Sequence, residues 1–166
     1  MNKFSRIVSH MTTTRGQVIR AFSAKSMKVI EQAIKAAEVG HAGEIRFVVE
    51  GALDGLPLVK DQSARERAIE VFSLLRIWDT EHNSGVLIYL LLADRRVEIV
   101  ADRGIHARVG AVGWDALCQD MEASFASGQY EQGAVACIKA VAQHLARHFP
   151  SHGNARNELP DAPVVL

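Results

Sequence analysis

The stretch NSGVLIYLLLADRRVEIVADRGI, residues 83–105, decides the fold. Its apolar run, residues 85–93, shows no polar alternation, which is typical of a strand that is buried on both faces and central in a sheet. Asp94 and Arg95 then form a predicted tight turn, and residues 96–101 return as a second strand. Because the connection is so short, the two strands must run antiparallel.

Helical periodicity surrounds this hairpin on both sides. The first predicted helix, 24–39, is capped by Ser23, and the second begins at the Ser63–Glu66 capping box and ends near Trp78. Further helices are predicted at 105–112, 114–125 and 134–149. Between the first two helices, the sequence predicts a strand at 45–49 and a loop at 51–61. A buried strand with helices before and after it favours a layered α/β domain. The predicted fold is an αβα sandwich whose mixed central sheet is covered by helices on both faces.

The chain of 166 residues fits one domain, which we divide into three parts. These are a basic N-terminal arm (1–22), an α/β domain (23–150) and an extended C-terminal tail (151–166). Its longest apolar run has eight residues, whereas a membrane-spanning helix needs about 20. Two cysteines and no secretory signal indicate reduced thiols and a cytoplasmic location.

The charge is unevenly distributed although its sum is zero. Residues 1–30 contain six bases and no acid, and the rest of the chain carries a net charge of −6. In the arm, Phe4, Ile7, Val8 and Met11 follow the spacing of one helix face. Three interpretations stay open: a packed or poorly ordered extension, a surface for an anionic membrane or a protein partner, and an organelle transit segment. The tail offers a second contact surface.

Common cofactor motifs are missing from the sequence. It has no phosphate-binding loop, no dinucleotide-binding glycine motif and no paired cysteines, so we expect no nucleotide cofactor. Nucleic-acid binding is not expected either, because aromatic residues do not interleave the bases and the domain as a whole is neutral.

Four residues are candidates for a site. Asp102 follows the second hairpin strand, where loops on a rigid scaffold gather ligands, and its carboxylate suits Ca²⁺ or Mg²⁺. The alternative is that Asp102 caps the next helix or pairs with Arg103. Asp79 precedes the central strand in a polar loop and would join a cation site if that loop folds toward Asp102. Glu44 precedes the first strand beside a glycine, and His106 is a weaker candidate for a catalytic acid or base.

Several of these segments resemble the TPM domain family. The segments are NSGVLIY (83–89), ADRRVEIVADRGI (93–105), the GEI of 43–45 and the NELPD of 157–161. The resemblance runs from about residue 22 to residue 163. It implies an αβα sandwich and, in some members, binding of a divalent cation, calcium especially, with Glu44 and Asp102 at matching positions. Acid phosphatase activity has been attributed to a plant member.

Taken together, the residues and the resemblance predict a non-catalytic TPM-like interaction module. It would bind Ca²⁺ or Mg²⁺ and a protein or membrane-complex partner, the latter through residues 1–22 and the tail. A cation-dependent, acid-phosphatase-like phosphohydrolase is the alternative, in which Asp102, Glu44 and Asp79 hold the ion. One departure from the family bears on activity, since His41 stands where members often have a threonine.

Overall fold

The computed structural model describes residues 3–151 and 157–166 and contains a four-stranded mixed sheet. The strands are β1 (Glu44–Glu50), β2 (Gly85–Leu91), β3 (Arg96–Ala101) and β4 (Val164–Val165), in the order β3-β2-β1-β4. β1 runs parallel to β2 and β4, and β2 runs antiparallel to β3. The predicted antiparallel hairpin and the mixed sheet are both confirmed.

Residues 3–151 and 157–166 contain seven helices, which lie on the two faces of the sheet. They are α1 (Lys3–Thr12), α2 (Arg15–Ala21), α3 (Ala24–Glu38), α4 (Gly55–Val59), α5 (Ala64–Leu74), α6 (Arg103–Ala126) and α7 (Tyr130–His148). α3, α6 and α7 bury their apolar sides against one face, and α4 and α5 cover the other. The αβα sandwich is therefore confirmed. No helix in the described part of the chain has the length and apolar character needed to span a membrane.

Like β1, β2 is an inner strand of the sheet, and all seven of its residues are buried. Val86, Ile88 and Leu90 face the α3–α6–α7 core, and its alternate residues face the α4–α5 core. This two-sided burial explains why the sequence shows a continuous apolar run instead of alternation. Tyr89 is the polar exception, and its hydroxyl donates to the Glu50 carboxylate at 2.6 Å.

Several element boundaries differ from the predictions, and α7, for example, begins at Tyr130 instead of residue 134. α5 ends at Leu74 instead of near Trp78, because Arg76 adopts a positive φ of 52° and the Ile77 N–H turns back to the Phe72 carbonyl. This helix-ending turn buries Ile77 in the core. The predicted loop 51–61 contains the short helix α4. The two helices predicted within 105–125 are present as the two parts of α6, but the break between them lies at Gly110, where φ is 76°, instead of after residue 112.

Both chain ends pack against the domain. The predicted arm folds into α1 and α2, and Val18 and Phe22 enter the α3–α6–α7 core. Val164 and Val165 of the tail pair with β1 as the strand β4, which the lack of periodicity in the tail did not indicate. The proposed boundaries at residues 22 and 150 stay predictions.

Gly85→Ala tests the packing at the start of β2. A Cβ at Gly85 would collide with the Ile77 backbone carbonyl, which cannot move without disturbing the turn after α5. We expect a loss of at least about 2 kcal/mol in the free energy of unfolding, measured by urea denaturation. Gly16→Ala in α2 is the control, because its nearest new contact is an ordinary 3.7 Å. Equal stability of the two variants would contradict this packing argument.

Candidate functional site

One edge of the sheet brings together the ends of three strands. β1 and β2 both begin there, with Glu44 opposite Gly85. β3 ends at the same edge, because Ala101 pairs with Val86 and the N–H of the next residue, Asp102, donates to the Gly85 carbonyl at 2.8 Å. The strand spacing separates Glu44 and Asp102 by about 10 Å across the intervening strand.

Asp102 caps α6 with only one of its carboxylate oxygens. Oδ1 accepts the Arg103 N–H at 2.7 Å, which is the predicted capping alternative. The residue is 9% exposed, and Oδ2 is buried without a hydrogen-bond partner among the described residues. A buried carboxylate oxygen without a partner is costly, so Asp102 has unused capacity to accept a donor or a cation.

The loop before β2 lies against the first turn of α6. Asn83 has a φ of 52°, its carbonyl accepts the Ile105 N–H at 3.3 Å, and its side-chain oxygen accepts from the Arg103 Nε at 3.4 Å. A Cβ on Gly104 would lie 2.5 Å from the Asn83 carbonyl oxygen and 2.9 Å from that of His82. Glycine at 104 therefore permits backbone oxygens of the loop to approach the α6 N-terminus beside Asp102.

The remaining candidates at this edge are exposed. Asp79 and His106 both lie on the surface, Asp79 in the loop and His106 in the first turn of α6. Within residues 3–151 and 157–166, no three His, Cys, Asp or Glu side chains are grouped to hold a metal ion. Glu44, Asp79 and Asp102 thus share an edge without forming a three-carboxylate centre.

Glu44 holds the C-terminal tail. Its two carboxylate oxygens accept the backbone N–H groups of Glu158 at 2.9 Å and Leu159 at 3.1 Å. Burial raises the pKa of Glu44, whereas these two hydrogen bonds act to lower it. The Glu44 carboxylate is therefore engaged within the chain and fixes the segment that leads to β4.

Two further carboxyl groups, which the sequence analysis missed, lie beside Glu44. Glu38 ends α3 and accepts the Ile45 N–H at 3.0 Å, and Asp161 is buried in the docked tail. Burial raises the pKa of Glu38 to about 8, with smaller contributions from the nearby charges of Glu44 and Asp161. Burial lowers the pKa of the neighbouring Arg46, while the three acids act in the opposite direction. The cluster is thus protonated in part at neutral pH.

His41 lines a cleft of about 280 Å³ beside these acids. The Gly43 N–H donates to its Nδ1 at 3.2 Å, and burial lowers the pKa of the ring, which keeps it neutral. Its Nε2 is buried without a hydrogen-bond partner among the described residues. At the position where the family often has threonine, the imidazole therefore bonds the backbone ahead of β1.

Comparison with known proteins identifies the domain. A family model described as the TPM domain matches residues 19–144. The chain belongs to the TPM domain family. No curated protein matches the chain.

Two solved structures share the TPM fold of this chain. The NMR structure of BA42 protein from the psychrophilic bacterium Bizionia argentinensis has 30% sequence identity and a TM-score of 0.76 and covers 87% of this chain and 95% of its own. The N-terminal domain of a P. gingivalis protein has 21% identity and a TM-score of 0.61, with coverages of 78% and 82%. The second likeness concerns the fold alone.

Glu38→Gln tests the protonated carboxyl of the cluster. Burial raises the pKa of Glu38 in the folded protein from 4.5 to about 8, so the folded state favours the protonated carboxyl. The free energy of unfolding is therefore higher at acidic pH and falls as the pH rises toward 8. We expect the wild-type unfolding free energy to fall between about pH 5 and pH 9 by about 2 kcal/mol more than that of Glu38→Gln. Urea denaturation at the two pH values measures both.

Glu31→Gln is the matched control on α3, because Glu31 pairs only with Lys35 on the same helix. This control should keep the wild-type pH dependence. Identical pH dependence of wild type and Glu38→Gln would show that Glu38 is ionised throughout.

Proposed function

We propose that this chain is a non-catalytic TPM module that binds a divalent cation, Ca²⁺ in preference to Mg²⁺, at Asp102. The buried, unpartnered Oδ2 of Asp102 carries the proposal. Calcium takes six to eight oxygen ligands from carboxylates, amides, backbone carbonyls and water in a flexible geometry. A cation on Oδ2 would remove the cost of burying that oxygen without a partner.

The loop of residues 82–83 supplies the other protein oxygens for this proposal. The His82 and Asn83 carbonyls lie against Gly104 at the start of α6, and the Asn83 side chain adds an amide oxygen. Neutral oxygens around one carboxylate suit a weak site in which water completes the shell. Mg²⁺ demands a more regular octahedral shell, so a loop of this kind favours Ca²⁺.

Glu44 and Asp79 are not ligands in this proposal. Glu44 lies about 10 Å from Asp102 across the intervening strand and holds the tail with both oxygens, and Asp79 is exposed. Asp79 instead adds a negative charge in the loop before β2, which raises the local cation concentration only weakly at physiological salt.

The contacts at this edge do not favour the phosphohydrolase alternative. The Nε of Arg103 donates to Asn83, and the exposed His106 makes no side-chain hydrogen bond to Asp102 in the described residues. Burial raises the pKa of Cys118 to about 12 and that of Cys137 as well, so neither thiol is a ready nucleophile. Turnover of a phosphate monoester that depends on Asp102 would contradict the non-catalytic proposal.

Asp102→Asn separates a cation ligand from a helix cap. Asparagine is as good an N-cap as aspartate, so the fold and the Arg103 contact should survive. The charge is lost, and we expect the calcium affinity to fall at least about tenfold while the metal-free stability changes by less than about 1 kcal/mol. Calcium titration followed by amide NMR shifts measures the affinity, with Mg²⁺ as competitor.

In the wild type, the shifts should saturate and cluster at residues 82–85 and 102–105. Asp79→Asn is the control and should retain most of the affinity. The proposal fails if millimolar calcium moves no resonances, or if Asp102→Asn binds calcium as tightly as the wild type.

A further inference from the structure

The N-terminal helix α1 packs on the domain through its polar side. Ser9 donates its hydroxyl to the Ala93 carbonyl at 2.7 Å, and His10 is buried. Arg6 reaches the same place, the turn between β2 and β3, where it binds Asp94. A surface helix in water normally buries its apolar side, but of the apolar stripe of α1 only Ile7 is partly buried, against the α4–α5 core.

Asp94 fixes this orientation. The Arg6 Nε lies 3.1 Å from each oxygen of the carboxylate, and Nη2 lies 2.9 Å from Oδ2. His10 Nδ1 accepts the Leu53 N–H, which leaves the proton on Nε2 to donate to Asp94 at 2.9 Å. Burial would raise the pKa of Asp94, but the bonds from Arg6 and His10 hold it below its ordinary value. A part-buried, bidentate ion pair of this kind locks the helix against the domain.

The other apolar side chains of α1 face solvent. Phe4 is 76% exposed, Val8 43% and Met11 78%, and they lie at i, i+4 and i+7 on one helix face. Ile19 of α2 is also 57% exposed. We call these four exposed apolar side chains the arm ridge. Several exposed apolar side chains on neighbouring helices indicate an interaction surface.

The charges around the arm ridge indicate what it contacts. Lys3, Arg15 and Arg20 are exposed on the two arm helices, and residues 1–30 contain no acid. Exposed bases on the same short helices as a row of Phe, Val and Met are typical of helices that lie in the interface of an anionic bilayer. The charge of the arm is thus complementary to anionic lipid headgroups.

We propose that the arm ridge docks the protein on anionic membranes. Phe4, Val8 and Met11 enter the headgroup region, while Lys3 and Arg15 bind lipid phosphates. Because Asp94 holds α1 with its apolar side outward, docking requires no refolding of the domain. The ridge is short, so binding is reversible and depends on both the apolar and the charged contacts.

The test is sedimentation of the full chain with vesicles in the presence of EDTA, which removes calcium bridges. The vesicles contain phosphatidylcholine with about one quarter phosphatidylglycerol, and pure phosphatidylcholine serves as the uncharged comparison. We expect binding to the anionic vesicles alone, and its loss at about 1 M NaCl, where the Debye length is about 3 Å. Phe4→Ser/Met11→Ser should weaken binding at least about tenfold.

Leu74→Ser/Val112→Ser is the matched control, because these two side chains are equally exposed but lie outside the arm. It should bind as the wild type does. Failure of the wild type to bind anionic vesicles, or equal binding by the Phe4→Ser/Met11→Ser variant, overturns the proposal. A wild-type dimer that this variant converts to a monomer would also overturn it, because the ridge would then be a contact between two copies of the chain.

Discussion

The close packing of Gly85 against the Ile77 carbonyl is the contact on which the arrangement of the sheet depends. This contact lies where β2 begins, and the register of β2 determines which residues of β1 and β3 reach the same edge. Glu44 and Asp102 share that edge because both strands pair with β2 at this position. A shift of one residue would exchange the two faces of β2 and move Tyr89 into the α3–α6–α7 core, away from Glu50.

Buried carboxylates connect the peripheral segments to this sheet. Asp94 holds the arm, Glu44 holds the tail, and Glu50 accepts from Tyr89 and Arg67 between the sheet and α5. In each of these three cases both oxygens have partners, as burial of a charged group requires. Asp102 differs, because one of its oxygens has none among the described residues. This difference within one chain is the reason for assigning the cation to Asp102.

Local signals predicted much of the fold. The apolar run and the Asp94-Arg95 turn predicted the hairpin, and Ser63 and Glu66 predicted the start of α5 through a capping box that is present. Asp102 was correctly placed at a strand end. The β4 pairing and the cluster of Glu38 with Asp161 were missed, because they depend on contacts between segments more than 100 residues apart. A carboxylate that ends a helix just before a strand, as Glu38 does, is the signal that was available.

The arm shows a second limit of sequence patterns. The apolar stripe of α1 correctly indicated a helix, but periodicity did not show that only Ile7 of the stripe would pack inward. Arg6 and His10, which lie outside the stripe, meet Asp94 and fix the orientation of the helix. The contacts of Arg6 and His10 with Asp94 thus determine which side chains of α1 are exposed on the surface of this TPM domain.

The most direct test of the cation site is an experimental structure of the protein with calcium. We expect one calcium ion about 2.3–2.6 Å from Asp102 Oδ2, with oxygens of residues 82–83 and water completing its coordination shell. Oδ1 should still accept the Arg103 N–H. An ion bound elsewhere, or a water molecule that fully satisfies Oδ2 at saturating calcium, would contradict the account.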